Sequence, residues 1–145
     1  MLRIGDIFSD LEGNDYEVLS ELGRGGMGVV FLVQELEGQR RKFVAKCPLS
    51  GTSLECKKIS NEFRILERIA DTGISSVIRP HKMAEFQTGT KSVPIFLMPL
   101  AEGVELHRHL QNSGPITPDD VSDILLKIAK TMSEVHKLGY IHRDL

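Results

Sequence analysis

The sequence predicts an α+β protein: a five-stranded antiparallel sheet with one inserted helix, followed by a helical region. Three observations carry that prediction. Short apolar, β-branched segments bounded by turn residues recur through residues 16–100. One apolar stripe at helical spacing, Ile59, Phe63, Leu66 and Ala70, interrupts them. After Pro99 the strand pattern gives way to helical periodicity.

Residues 1–15 mix apolar and acidic side chains and end in the turn-like Glu12-Gly13-Asn14-Asp15, so they read as a lead-in with room for one short edge strand. Tyr16 to Leu22 has strand character, the glycine-rich stretch turns, and Val29 to Val33 returns as a second strand. The charged segment Glu35 to Arg41, with Gly38, is a second turn. Lys42 to Cys47 is a third strand, ended by Pro48. A loop at Ser50 to Ser53 leads into the helix, which runs from about Leu54 to Ala70 and stops at Asp71-Thr72-Gly73. Val77 to Phe86 and Val93 to Leu100 are the last two strand candidates, joined by Gln87-Thr88-Gly89-Thr90. Pro80 and Pro94 point to strand ends or edges, because proline cannot donate to a ladder.

Leu106 to Leu110 reads as a short helix. Thr117 is an N-cap, Pro118 suits a first turn, and Asp119 and Asp120 favour the positive end of the helix dipole. The helix runs on Val121, Ile124, Leu125, Ile128, Met132 and Val135 and ends near Gly139.

Composition excludes several function classes. Apolar content of 41% and charged content of 26% are ordinary for a globular chain. The formal charge of -2 gives no global basic field for nucleic acid or an acidic membrane. The histidines lack metal-ligand spacing, and no metal site is assigned. Cys47 and Cys56 are too few for a disulfide framework, and a bridge between them is the minority reading. The N-terminus is no signal peptide and no stretch reaches membrane-spanning length, so the expectation is a cytoplasmic protein.

The chemistry-bearing residues lie in three places. A hairpin turn holding Gly23, Gly25, Gly26 and Gly28 can bring bare backbone N–H groups against an anion, where a Cβ would block the approach. Nucleotide phosphates are the anions this favours; a flexible hairpin tip is the equal alternative for the glycines alone. A dinucleotide-binding fold would need a helix directly after them, and Val29 to Val33 argues strand instead. Lys46 stands in an apolar strand 18 residues after Gly28. A lysine there needs an anion to hold its rotamer, and Glu62, mid-helix, is the best candidate; an i,i+4 surface pair with Lys58 is the plainer fate of that glutamate. Third is the tail Ile141-His142-Arg143-Asp144-Leu145, which holds a carboxylate able to orient a hydroxyl and take its proton.

Taken in order, the glycine string through Val30 and Phe31, Phe43-Val44-Ala45-Lys46, Glu62 with Leu66, the Pro94 to Gly103 segment and His142-Arg143-Asp144-Leu145 resemble the protein kinase family. The glycine string is similar to that of bacterial serine/threonine kinases. The resemblance covers the first part of a kinase domain. It implies a kinase-like small lobe at residues 16–100, five antiparallel strands with an αC helix, and at residues 101–145 a hinge and the first helices of an incomplete large lobe. It implies ATP with Mg2+, and a protein hydroxyl as substrate.

By that resemblance Leu22, Gly23, Arg24, Gly25, Gly26, Met27, Gly28, Val29 and Val30 form the nucleotide-covering loop, with Leu22 and Val30 sandwiching the adenine. Lys46 would bind the α- and β-phosphates and Glu62 would hold Lys46. Met98 would be the gatekeeper, and the Pro99 carbonyl and Ala101 N–H would meet the adenine edge. Asp144 would be the catalytic carboxylate, His142 a structural support, and Arg143 a partner for a phosphorylated loop. Val44 stands where the family usually has alanine above the adenine. Pro99 replaces a usual acidic residue, and Ile74-Ser75-Ser76-Val77 stands where a His-Pro-Asn motif is usual.

The family's metal-binding asparagine and Asp-Phe-Gly aspartate would lie past Leu145, so residues 1–145 alone are expected to be inactive or nearly so, with an under-covered helix face. The expected function is that of an ATP-dependent protein serine/threonine kinase. The alternative is a non-catalytic, kinase-like nucleotide-binding or scaffold module.

Overall fold

The computed structural model describes residues 2–142. Its elements are β1 (Ile7–Asp10), β2 (Asp15–Gly25), β3 (Gly28–Glu35), β4 (Lys42–Cys47), α1 (Ser53–Asp71), β5 (Lys82–Thr88), β6 (Lys91–Pro99), α2 (Leu106–Ser113) and α3 (Pro118–Lys137).

The strands form a closed barrel in the order β1-β2-β3-β4-β6-β5, which corrects the expected five-stranded sheet. The added strand is β1, from the lead-in. It pairs with β2 through Ile7↔Glu17 and Phe8↔Tyr16 and with β5 through Ser9↔Glu85 and Asp10↔Ala84. A five-stranded sheet would leave two edges of unpaired N–H and C=O groups; one short strand between them satisfies both. Its alternation is inconspicuous in sequence, because only Phe8 and Asp10 of its four residues are buried.

Alternating residues fill the barrel: Phe8, Tyr16, Val18, Phe31, Val33, Phe43, Ala45, Cys47, Ala84, Ile95 and Leu97. Tyr16 stacks on Phe8 at 5.5 Å between ring centroids and meets Phe43 edge-on at 5.9 Å. The barrel closes over a charge. Asp10 accepts hydrogen bonds from the Glu12 and Asn14 backbone N–H groups, from Asn14 Nδ2 at 2.8 Å and from the Tyr16 hydroxyl at 3.0 Å. Its Oδ2 also lies 2.8 Å from Lys82 Nζ, which reaches Glu12 at 3.0 Å. A buried carboxylate is tolerable only when so fully partnered. Burial works against the charge, but Lys82 and the other donors outweigh it and hold the Asp10 carboxyl well below the usual range. Burial and Asp10 together push the Tyr16 phenol up to about 12.

β5 begins at Lys82 rather than Val77, so Pro80 precedes it. Pro94 lies inside β6, opposite Glu85. β4 pairs with β6 only from Phe96 to Pro99, so position 94 has a strand neighbour on one side only, where a residue without N–H can sit. α1 starts in a capping box of Thr52 and Glu55. Ile59 is buried, and Phe63 packs on Phe96 at 6.1 Å. α3 is capped by Thr117, whose hydroxyl accepts from the Asp120 N–H at 3.1 Å. It buries Thr131 and Val135, while Val121, Leu125 and Ile128 are exposed. Among the described residues no helix is long and apolar enough to cross a membrane.

Candidate functional site

β2 and β3 form the glycine hairpin. Gly23 stands opposite Val30, Arg24 opposite Val29 and Gly25 opposite Gly28, so Gly26 and Met27 are the tip. Register shifts after Val18 and Glu21 add twist to the ribbon. The glycines divide into two kinds. A Cβ added at Gly23, Gly25 or Gly26 would meet nothing within 4 Å. At Gly28, where φ is +126°, it would lie 2.5 Å from the Cys47 carbonyl oxygen. Gly28 therefore seats the hairpin against the end of β4, beside Lys46, and the other three leave the tip backbone bare. On the hairpin flank Arg24 pairs with Glu21 at 2.7 Å, and its hydrogen bonds draw the Glu21 carboxyl below its usual range.

β4 alternates sharply. Phe43, Ala45 and Cys47 enter the barrel, leaving Val44 and Lys46 on its outer face. Across β3, Lys46 stands opposite Val30 and Val44 opposite Leu32. Across β6, Lys46 faces Phe96 and Val44 faces Met98. Val30, Val44, Lys46 and Met98 thus form one outer patch beside the hairpin. Lys46 Nζ donates to Glu62 Oε1 at 2.5 Å and lies 6.0 Å from the centroid of the Phe96 ring. Glu62 is delivered there by its neighbours: Ile59 and Phe63 pin α1 to the barrel and the same face carries the carboxylate. Lys58 makes no ion pair with Glu62 among the described residues.

Other candidates are placed as follows. Leu22 is exposed on β2, Met27 is exposed at the tip and Val30 is half-buried. Val29 is buried in the barrel core, so only its backbone can reach a ligand. Met98 is half-buried near the end of β6; Pro99 ends that strand opposite Phe43, and Ala101 is exposed just beyond. Cys47 is a core thiol, pushed up to about 11 by burial, and Cys56 on α1 is half-buried; both are free. His142 is exposed, and Arg143 and Asp144 lie outside the described residues. Among the described residues no group of three or more His, Cys, Asp or Glu side chains could hold a metal ion.

Sequence reasoning missed Phe96, the ring beside Lys46. Its only signal is the β4–β6 register, which exists once the barrel is closed. It also missed Asp10 and Lys82, 72 positions apart.

Chemically, the patch offers a cation held by a carboxylate, apolar neighbours on the same surface, and a hairpin whose backbone N–H groups can approach an anion closely. That donor set fits a polyphosphate attached to an apolar ring system.

A family model described as protein kinase domain matches residues 16–145. The "Probable serine/threonine-protein kinase PknB" of Lactococcus lactis is 26% identical over 100% of this chain and 22% of its own length. Calcium/calmodulin-dependent protein kinase type 1B of Rattus norvegicus is 30% identical over 90% of this chain and 36% of its own. Serine/threonine-protein kinase PknH of Mycobacterium bovis is 29% identical over 99% and 22%. The chain thus spans between 22% and 36% of the length of these relatives.

Proposed function

Because the chain belongs to the protein kinase family, we propose that it is the nucleotide-binding part of a serine/threonine kinase that transfers the γ-phosphoryl group of ATP to a protein hydroxyl. The single observation that carries this reading is the Lys46–Glu62 ion pair at 2.5 Å, beside a glycine hairpin seated on β4. The pair joins β4 to α1, so it fixes where the Lys46 ammonium sits.

The tip backbone of Gly23 to Gly28 covers the phosphates, approaching closely where no Cβ intervenes. Lys46 neutralises the α- and β-phosphates as a point charge, and Glu62 keeps its ammonium aimed at them. Leu22, Val30, Val44 and Met98 enclose the base, and the Pro99 carbonyl and Ala101 N–H read its polar edge. Val44, bulkier than alanine and opposite Met98, narrows that enclosure. Asp144 orients the acceptor hydroxyl and takes its proton as the new P–O bond forms and the bond to the β-phosphate breaks. Magnesium, bound with the nucleotide, supplies charge neutralisation, and no residue of 1–145 is assigned to it. Residues 16–100 are the ATP-binding lobe and residues 101–145 the hinge and first helices of the second. The preference for serine and threonine rests on the Gly25-Gly26-Met27-Gly28 string and on the kinds of kinase the relatives are named as.

The test is phosphate transfer from labelled ATP by the full-length protein, with Lys46→Met and Asp144→Asn beside it. Each substitution should lower transfer on the order of 100-fold or more, because each removes a group aimed at the reacting phosphates or hydroxyl. Full activity in both would overturn the assignment. ATP-dependent thermal stabilisation without any transfer by the full-length protein would favour the scaffold reading instead. Residues 1–145 alone should show that stabilisation and little or no transfer.

A further inference from the structure

An open cavity lies away from the glycine hairpin, where the loop between α1 and β5 meets α3. It encloses about 450 Å³ and is lined by Gly73, Ile74, Ser75 and Ser76 from the loop and by Lys127, Lys130, Thr131 and Glu134 from α3. Ser75 and Ser76 are exposed, and among the described residues no hydrogen bond occupies either hydroxyl. Lys127 and Lys130 have no carboxylate partner among the described residues, although Glu134 is one turn from Lys130. Thr131 donates its hydroxyl back to the Lys127 carbonyl at 2.9 Å, so that proton is already committed. Two unpaired ammonium groups and one carboxylate leave a net positive wall facing two free hydroxyls on a different element.

The geometry points to a phosphorylation site at the Ser75–Ser76 pair, with Lys127 and Lys130 as the receptor for the phosphate. A nucleoside triphosphate and a protein kinase supply the reaction: the serine Oγ–H bond breaks, an Oγ–P bond forms, the terminal phosphoanhydride bond breaks, and the nucleoside diphosphate and a proton leave. The product dianion answers both lysines, and their two positive charges outweigh the like-charge repulsion from the single Glu134 carboxylate. The cavity is roomy for a phosphoryl group, and the loop that would carry it follows α1 directly, with Ser75 three residues after the Thr72 cap. Fastening that loop to α3 would tie down the far end of the helix that carries Glu62. The modification does not require that the protein's own activity install it.

Two measurements test it. Mass spectrometry of the full-length protein from its own cells should find one phosphoryl group on the tryptic peptide 69–82, lost in the Ser75→Ala/Ser76→Ala double variant. Full-length protein carrying phosphoserine at 75 or 76 by genetic encoding should show, by phosphorus NMR, a phosphate titration below that of the free phosphopeptide. That shift should return to the peptide value in Lys127→Ala/Lys130→Ala, a change that a merely structural role for the loop would not produce. An unmodified peptide in cells, or a titration indifferent to the two lysines, overturns the proposal.

Discussion

Gly28 and Cys47 are in such close register that the glycine hydrogen occupies space no side chain could share: a Cβ at 28 would sit 2.5 Å from the Cys47 carbonyl oxygen. The backbone there, at φ +126°, is also one that L side chains rarely adopt. At Gly25 and Gly26 neither restriction applies.

The substitution Gly28→Ala should therefore cost stability, about 1–3 kcal/mol, in the absence of any ligand. Gly25→Ala and Gly26→Ala should leave urea unfolding within about 0.5 kcal/mol of the parent and weaken only the stabilisation that added ATP provides. Equal destabilisation by all three alanines would show that the tip glycines serve the fold and not a ligand.

Glu62→Gln keeps the shape of the side chain and removes the charge that Lys46 answers. The pair is partly exposed, so its contribution to stability should be modest, about 1 kcal/mol. Phosphoryl transfer by the full-length protein should fall more, on the order of 10-fold or beyond, because the ammonium loses its fixed aim. A rate loss no larger than the parallel loss in Tm would imply would reduce Glu62 to a structural role.

Asp10→Asn removes the charge at the barrel seam. Lys82 keeps Glu12 and some solvent, so the loss at neutral pH should be about 3 kcal/mol, the lower end for a broken buried pair. The pH dependence has a definite sign. The Asp10 carboxyl is depressed in the fold, so its contribution is complete above the unfolded value and fades below about pH 4. Parent and variant unfolding curves should accordingly converge as the pH falls from 4 toward 2. Tyr16 acts in the opposite direction: its phenol is raised to about 12, so its contribution holds below about pH 10 and is lost as the pH rises through 12. Tyr16→Phe should abolish that alkaline component.

The two thiols should separate cleanly. Cys47, buried and raised to about 11, should resist a thiol reagent at pH 7 until the protein unfolds. Cys56, half-buried on α1, should react in the folded state. The Cys56→Ser variant should then show no fast phase.

Much of the architecture was readable because its causes are local. Thr117, Pro118 and the acids after them specify a helix start within a few residues, and the start is where they put it. The stripe through Ile59 and Phe63 specifies which face of α1 turns inward. Val77 to Ile78 looked like strand and is not, since an apolar pair beside Pro80 gains its place only from what it packs against. The lead-in leaves room for β1 as a short edge strand but hides its place between two sheet edges: half its residues are exposed, and its worth comes from partners at Glu17 and Glu85.

By itself the sequence determined the hairpin, the helix caps and the alternation that puts Lys46 outside and Cys47 inside, since each depends on neighbours a few positions apart. Tertiary structure alone decided that the barrel closes through β1, that Asp10 finds Lys82 across its seam, that Phe96 lies beside Lys46, and that Lys46 rather than Lys58 holds Glu62. The reason is physical: these are pairings between distant segments, and their free energy comes from edges satisfied and charges desolvated together, quantities that no single stretch of chain carries.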